Sequence, residues 1–331
     1  MKRVGYLIEK IADPDNLRLA FIKAKRGKAE KKTVIDFGQN FQEELNDIRN
    51  QVLSANVKVG NYHFFTIKDP KERLICAADF RERVLHHAIM NICHPYFEKK
   101  QIFDSYASRL NKGTYAAIER AQYFCRKYQW FLKLDVRKYF DQLDHDILLC
   151  QLQKMFKDEK LLKVFEQIIG SYNSVKTRKG VPIGNLSSQY FANHYLSLSD
   201  HFILEKTDCK AYVRYMDDMV LWHFDKSRLI EVARIFKTFI KENLRLELKP
   251  DILHHCSKGL PFLGYLLFPD RIKLMQKSKI RFMKKSKMYE KKLNSGKWSQ
   301  EQYQAHLNPL LAFIMKADTF SFRKKYFEEN G

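Results

Sequence analysis

An aspartate closes the short apolar run Trp130-Phe131-Leu132-Lys133-Leu134-Asp135. Further along, Asp217-Asp218 separates two β-prone runs, Ala211–Met216 and Met219–Trp222. No other feature constrains the fold as strongly. The first run reads as a buried strand ending in an acid, and the second pair of runs as two strands joined by a tight hairpin. Carboxylates delivered from neighbouring strand ends suit a site for two hard divalent cations, which clamp the attacking and leaving oxygens of an in-line phosphoryl transfer. Successive side chains of a strand point to opposite faces, so Asp217 and Asp218 are not equivalent. Asp217 is the expected bridging ligand beside Asp135, with Asp218 accessory.

Charge supports a polyanionic partner. The 331 residues carry 60 Lys or Arg against 38 Asp or Glu, a net +22. So basic a chain repels itself unless a polyanion offsets it, and nucleic acid is the usual one. An anionic membrane is the second choice, set aside because no basic amphipathic helix is flanked by aromatic anchors. No stretch approaches the roughly 18 apolar residues of a transmembrane span. Hydrophobic residues make up 45% and aromatics 14%, which excludes global disorder and predicts two or three packed units. Six scattered cysteines lack any C-x-x-C pair, so neither a disulfide framework nor a zinc ribbon is expected. The His254-His255-Cys256 cluster reads as a turn or strand end.

Periodicity supplies the remaining elements. Asp79 is a helix cap before an apolar-faced stretch reaching Cys93, and Gly113 opens a helix to about Tyr128. Residues 146–170 look helical, with Gly170 as a stop. A turn-rich loop, Gly180 to Gly184, precedes a long helix over 185–205. Another helix covers Lys226–Asn243, followed by short strands near Leu244–Leu248 and Phe262–Phe268. From Asp270 the chain reads as a basic helical unit anchored by Met283, Tyr289 and Leu293, with 15 Lys or Arg against 6 Asp or Glu.

In their order along the chain, these motifs resemble a reverse transcriptase. Tyr215-Met216-Asp217-Asp218 resembles that family's catalytic hairpin, and Phe131 to Phe140 its first catalytic strand. Pro70 to Ile75 resembles the segment gripping the incoming triphosphate, and Ser105-Tyr106-Ala107-Ser108-Arg109 the template-side motif. Phe262-Leu263-Gly264-Tyr265 resembles the primer grip. The loop Gly180 to Gln189 resembles the family's nucleotide- and template-contacting loop, but Ile183 stands where most relatives have Gln, and Ser188-Gln189 replaces Ser-Pro. That departure, with His86-His87 and Asp104-Ser105-Tyr106-Ala107, is similar to enzymes of diversity-generating retroelements. Retron, phage-defence and group II intron enzymes are the neighbouring alternatives.

The resemblance implies an α+β right-hand polymerase fold: fingers over 1–120 with part of 150–190, an antiparallel-sheet palm over 121–269, and a helical thumb over 270–331. It implies an RNA-directed DNA polymerase that copies a template-repeat RNA with adenine-directed errors. A non-catalytic RNA-binding protein is the reading from another class, opposed by the intact acids. Two Mg²⁺ ions, with Mn²⁺ as the alternative, would be held by Asp135, Asp217, Asp218 and the Val136 carbonyl. Lys249, or the nearby Lys258, would be the general acid. Lys68, Arg73, Tyr139, Phe140, Ile183, Gly184 and Gln189 would contact the nucleotide, Phe140 as the steric gate against a 2′-hydroxyl. Arg109, Phe262, Leu263, Gly264, Tyr265, Lys284 and Lys285 would hold template and primer, with Lys277, Lys279, Arg281 and Lys287 tracking the duplex backbone. Expected partners are the RNA template, a nucleic-acid primer, dNTPs and a small basic oligomeric accessory protein, in the cytoplasm of a bacterium or its phage.

Overall fold

A helix that is buried on every side has to run through the interior of its layer. Two segments have that character in the computed structural model, which describes residues 3–68 and 72–330. The helices Phe80–Lys100 and Leu186–Lys206 pack on each other inside a unit built from the chain up to Phe103, Val136–Lys206 and Ile235–Lys249. Asp79 caps the first, accepting from the Glu82 amide at 2.7 Å. That helix runs past Cys93, through Pro95, to Lys100, longer than its sequence pattern suggests. Phe97 holds the turn beyond the proline, packing edge-on against Phe156, Phe165 and Phe191 with centroids 5.9–6.4 Å away.

The helical stretch expected over 146–170 is two helices, His145–Met155 and Glu159–Gly170. Asp158 forces the break. Its carboxylate accepts from the amides of Leu161, Leu7 and Ile8 at 3.2, 2.7 and 3.1 Å, a pattern open only to a helix-capping residue. A hairpin that periodicity did not disclose pairs β1 (Tyr62–Lys68) with β2 (Glu72–Ala78). Pro70 and Lys71, expected near the triphosphate, lie outside the described residues. The strand expected over Leu244–Leu248 shrinks to a single bridge between Leu248 and Val136. Leu244 still belongs to the preceding helix, and Arg245 turns the chain with φ +49°.

The second unit comprises Asp104–Asp135, Thr207–Arg234 and Pro250–Gly331. Its centre is an antiparallel sheet of β3 (Trp130–Asp135), β4 (Ala211–Tyr215), β5 (Asp218–His223) and β6 (Ile252–His255), in the order β4-β5-β3-β6. The helix Thr114–Lys127 covers it, with Phe124 5.2 Å from Trp222 and Cys125 accepting from the Trp222 indole. His254 and His255 end β6, as a strand-end reading requires. The expected strand Phe262–Phe268 is a hairpin within the meander β7 (Leu260–Phe262), β8 (Tyr265–Leu267) and β9 (Ile272–Leu274). The basic tail therefore opens with β9 before its helices Gln276–Asn294, Gln300–Met315 and Phe320–Asn330. Its anchor is Phe282, packed against Phe322 and Tyr326; Met283, Tyr289 and Leu293 are only half-buried. All six cysteines are free, and among the described residues no helix is long and apolar enough to cross a membrane.

One buried acid makes the first unit sensitive to pH. Glu82 accepts from the Gly60 amide at 2.9 Å and lies 3.4 Å from His86 Nε2, both side chains being 1% exposed. Burial pushes Glu82 up to about 7 and His86 down to about 3. A carboxyl raised from 4.5 in this way stabilises the fold fully below that value, and the contribution is lost as pH rises through about 7. Glu82→Gln keeps an acceptor for Gly60 without the charge. It is expected to be more stable than the parent by about 2 kcal/mol at pH ~8.5 and nearly equal at pH ~5, read from urea midpoints at the two values.

Candidate active site

The register of β3 against β5 sets Asp135 directly opposite Asp218, and that of β4 against β5 sets Tyr215 opposite Asp218. The turn residues are therefore Met216 and Asp217. The two aspartates do not form the turn together, because Asp218 is already the first residue of β5. Met216 has φ +55°, a conformation costing a non-glycine residue on the order of 1 kcal/mol. The fully buried Arg214 supports it, donating from Nη1 to the Met216 carbonyl at 3.1 Å.

Lys133 lies on the same face of β3 as Asp135, two residues away. Its ammonium donates to Asp218 Oδ2 and to the Pro261 carbonyl, both at 2.8 Å. Asp218 is 19% exposed. Burial pushes it up to about 6; Lys133 opposes that, while Asp135 and Asp217 add to it, so the three carboxylates share one electrostatic neighbourhood. Asp218 Oδ1 is buried and accepts no hydrogen bond. Among the described residues no group of three or more His, Cys, Asp or Glu side chains is arranged to hold a metal ion. The donors suit a hard divalent cation nonetheless: they are carboxylates, and one presents an unsatisfied buried oxygen.

The template-side segment joins this hairpin inside the same unit. Ser105 forms a parallel bridge with Arg214: the Arg214 amide donates to the Asp104 carbonyl and the Tyr106 amide to the Arg214 carbonyl, each at 2.9 Å. Arg109 turns back onto the Ser105 carbonyl at 2.6 Å. Arg120 grips the Asp104 carboxylate through Nε and Nη2, fixing the start of the segment.

The Phe262-Leu263-Gly264-Tyr265 motif is the β7–β8 hairpin. Leu263 and Gly264 both have positive φ, +48° and +91°, as a type I′ turn demands. Phe262 and Tyr265 are fully buried, and the Tyr265 hydroxyl donates to the Phe313 carbonyl at 2.7 Å. Of the four residues expected at a primer, Phe262 and Tyr265 thus face the core, and Leu263 and Gly264 are half-buried in the turn. Lys284 is exposed and Lys285 half-buried on the helix Gln276–Asn294.

The expected nucleotide contacts fall in the first unit. Arg73 pairs with Ile67 and Lys68 with Glu72, so the pleat sends Arg73 and Lys68 to opposite faces of the hairpin. Lys68 is engaged with Glu72 at 3.6 Å, both highly exposed. Arg73 shares its face with Ile75, which borders the Gly180–Gly184 loop. The Cys76 amide donates to the Ile183 carbonyl at 2.8 Å, and the Ala78 amide to Asn185 Oδ1 at 3.0 Å. Tyr139 is a correction: its ring is buried and its hydroxyl donates to the Ala192 carbonyl, which makes it an internal anchor. Phe140 and Gln189 are half-buried, and Val136 is fully buried. Lys249 is half-buried beside Leu248, whereas Lys258 is exposed in the short turn Cys256–Lys258 of the second unit. Sequence reasoning overlooked Lys133 and Arg214. The available signal was a lone cation within each otherwise apolar strand.

Residues 67–267, more than half of the chain, match the model of the family described as reverse transcriptase (RNA-dependent DNA polymerase). The chain belongs to the reverse transcriptase family. It is 24% identical over 282 residues to the putative COX1/OXI3 intron 1 protein of Saccharomyces cerevisiae, covering 80% of this chain and 33% of that protein. It is 22% identical over 207 residues to the group II intron-encoded protein LtrA of Lactococcus lactis, covering 58% of this chain and 34% of LtrA. The chain thus spans about a third of the length of both. Among solved structures, the apo telomerase of Candida tropicalis shares the fold with a TM-score of 0.54 at 13% identity, over 81% of this chain and 59% of that one. The α+β polymerase fold expected from the motifs is the fold observed.

Gly184 is the point where the loop is pressed against β2. Its φ is +125°, and a Cβ there would lie 2.9 Å from the Ile75 Cγ2 methyl and 3.3 Å from the Cys76 carbonyl oxygen. Gly184→Ala is expected to lift the loop from β2 and cost about 1–3 kcal/mol locally. Hydrogen exchange at the Cys76 amide checks it, with an acceleration of roughly tenfold or more expected.

Proposed function

We propose that this chain is an RNA-directed DNA polymerase of the diversity-generating retroelement type, copying a template-repeat RNA into adenine-mutagenised cDNA. The polymerase reading is carried by Asp135 standing opposite Asp218 across β3–β5, with Asp217 in the adjoining turn, inside the stretch that matches the family. Asp135, Asp217 and Asp218 would hold the divalent ions. Bound there, such ions supply Lewis-acid stabilisation of phosphoryl transfer. The chain's own residues do the rest. Leu263 and Gly264 present a rigid turn to the primer strand, and Arg109 meets the template. Arg73 offers a charged planar fork for the triphosphate, and Phe140 excludes a 2′-hydroxyl. Basic side chains on the helix Gln276–Asn294 contact backbone phosphates without reading sequence. A small basic accessory protein would assist template binding.

The mutagenic part of the reading is supported by Ile183. Its main chain is tied to β2, so its half-buried side chain is held in the loop where an amide would otherwise offer a hydrogen bond. Losing that polar check narrows the difference in transition-state binding between right and wrong nucleotides. A conventional intron-associated polymerase is the second reading, favoured by the likeness to the COX1/OXI3 intron protein and LtrA.

Primer extension on an RNA template with Mg²⁺ tests both parts. The parent is expected to extend, and Asp217→Ala to lose roughly a thousandfold or more, the scale of several kcal/mol of lost charge stabilisation. No metal-dependent extension by the parent would refute the polymerase reading. Sequenced cDNA from the parent should carry errors concentrated opposite adenine, and Ile183→Gln should reduce them several-fold. An even, low error spectrum in the parent favours the intron-type alternative. An unchanged spectrum in the variant removes Ile183 from the account.

A further inference from the structure

Lys133 lies in this neighbourhood, and the polymerase reading leaves its chemistry unused. It sits between Leu132 and Leu134, both fully buried, and its side chain is only 14% exposed. An ammonium so deep is costly unless its protons are taken up. Two are: Asp218 Oδ2 and the Pro261 carbonyl each accept at 2.8 Å. The remaining contact is the Phe262 ring, whose centroid is 5.7 Å from Nζ. Lys133 thus bridges β5, which carries an acid of the site, and β7, which leads into the Leu263–Gly264 turn.

A bridge built only for stability would leave both ends satisfied. This one does not. The ammonium covers one oxygen of Asp218 and leaves Oδ1 buried and bare. It also sets its positive charge against Asp218, the acid on which Asp135 and Asp217 act electrostatically. We propose that Lys133 is a positioning residue acting as a built-in counterion. It holds Asp218 in register against Asp135 before a divalent ion is present, and it ties that acid to the strand beneath the primer-facing turn. The inference rests on the metal-dependent polymerase reading but concerns the chain's own charge balance, which can be measured without any reaction.

The consequence has a sign that ordinary structural damage would not produce. Removing the lysine adds a net negative charge to the site, so a divalent cation should bind more tightly while the geometry loosens. The test is titration of the purified full chain with Mn²⁺ in mildly alkaline buffer, reading free Mn²⁺ by electron paramagnetic resonance. Lys133→Gln and Lys133→Met are expected to bind Mn²⁺ at least about fivefold more tightly than the parent, the effect in water of removing one unit charge that lies within roughly 8 Å of a divalent ion. Lys133→Arg should return to within about twofold of the parent. Hydrogen exchange in the Leu260–Leu267 hairpin should quicken in Lys133→Met and stay near the parent's in Lys133→Arg. Extension by Lys133→Met should fall at least roughly tenfold despite the tighter ion.

Unchanged or weaker Mn²⁺ binding in the Gln variant would overturn the counterion role, and it can be read there even where the Met variant does not fold. Tighter binding with unchanged hairpin exchange in Lys133→Met would overturn the link to β7. A parent that binds Mn²⁺ in this pattern yet extends no primer would leave the counterion standing and sink the polymerase reading, so the two failures are distinguishable.

Discussion

Everything in the site depends on the pairing of Asp135 with Asp218 across β3 and β5. Strand side chains alternate, so a slip of one residue would carry Asp218 to the opposite face of the sheet and leave Asp135 facing Met219. The register is held from several directions. Trp222 and Phe131 meet at the far end of the pair, buried beneath the helix Thr114–Lys127. Arg214 pins the turn from below through the Met216 carbonyl. Lys133 closes the near end, joining the acid to Pro261. Asp135 and Asp217 work against this arrangement, since both raise the cost of ionising Asp218. The surrounding hydrogen bonds offset a repulsion that the chemistry of the site requires.

Much of this was legible in the sequence, for identifiable reasons. The strand ending at Asp135, the hairpin, the Asp79 cap and the helix from Thr114 are encoded locally by apolar periodicity and capping residues. The order of motifs along the chain carried the family. What stayed hidden depends on partners distant in sequence. Asp158 caps the second helix locally through the Leu161 amide, but its hold on the amides of Leu7 and Ile8 is one that no local pattern reports. The roles of Phe262, Tyr265 and Tyr139 were misjudged because a motif preserves a residue type without saying whether its side chain faces ligand or core. Here all three fill the interior. Lys133 was overlooked for a related reason: its function is defined by a carboxylate and a carbonyl that lie elsewhere in the chain.

The same separation bears on how the protein is made. Lys133 and Asp218 are 85 residues apart, and β3 pairs on its other edge with β6, further along still. As the chain leaves the ribosome, the apolar strand Trp130–Leu134 is completed long before either neighbour exists. Its amides and carbonyls are then an unprotected edge, of the kind that recruits strands from other molecules. Contacts so distant are also slow to close. The helix Thr114–Lys127, finished just ahead of that strand, is the nearest element able to shelter one face of it during the wait. Its crowded inner side, Ile118, Ala121, Phe124 and Cys125, would then serve as a provisional cover during synthesis before becoming part of the mature core.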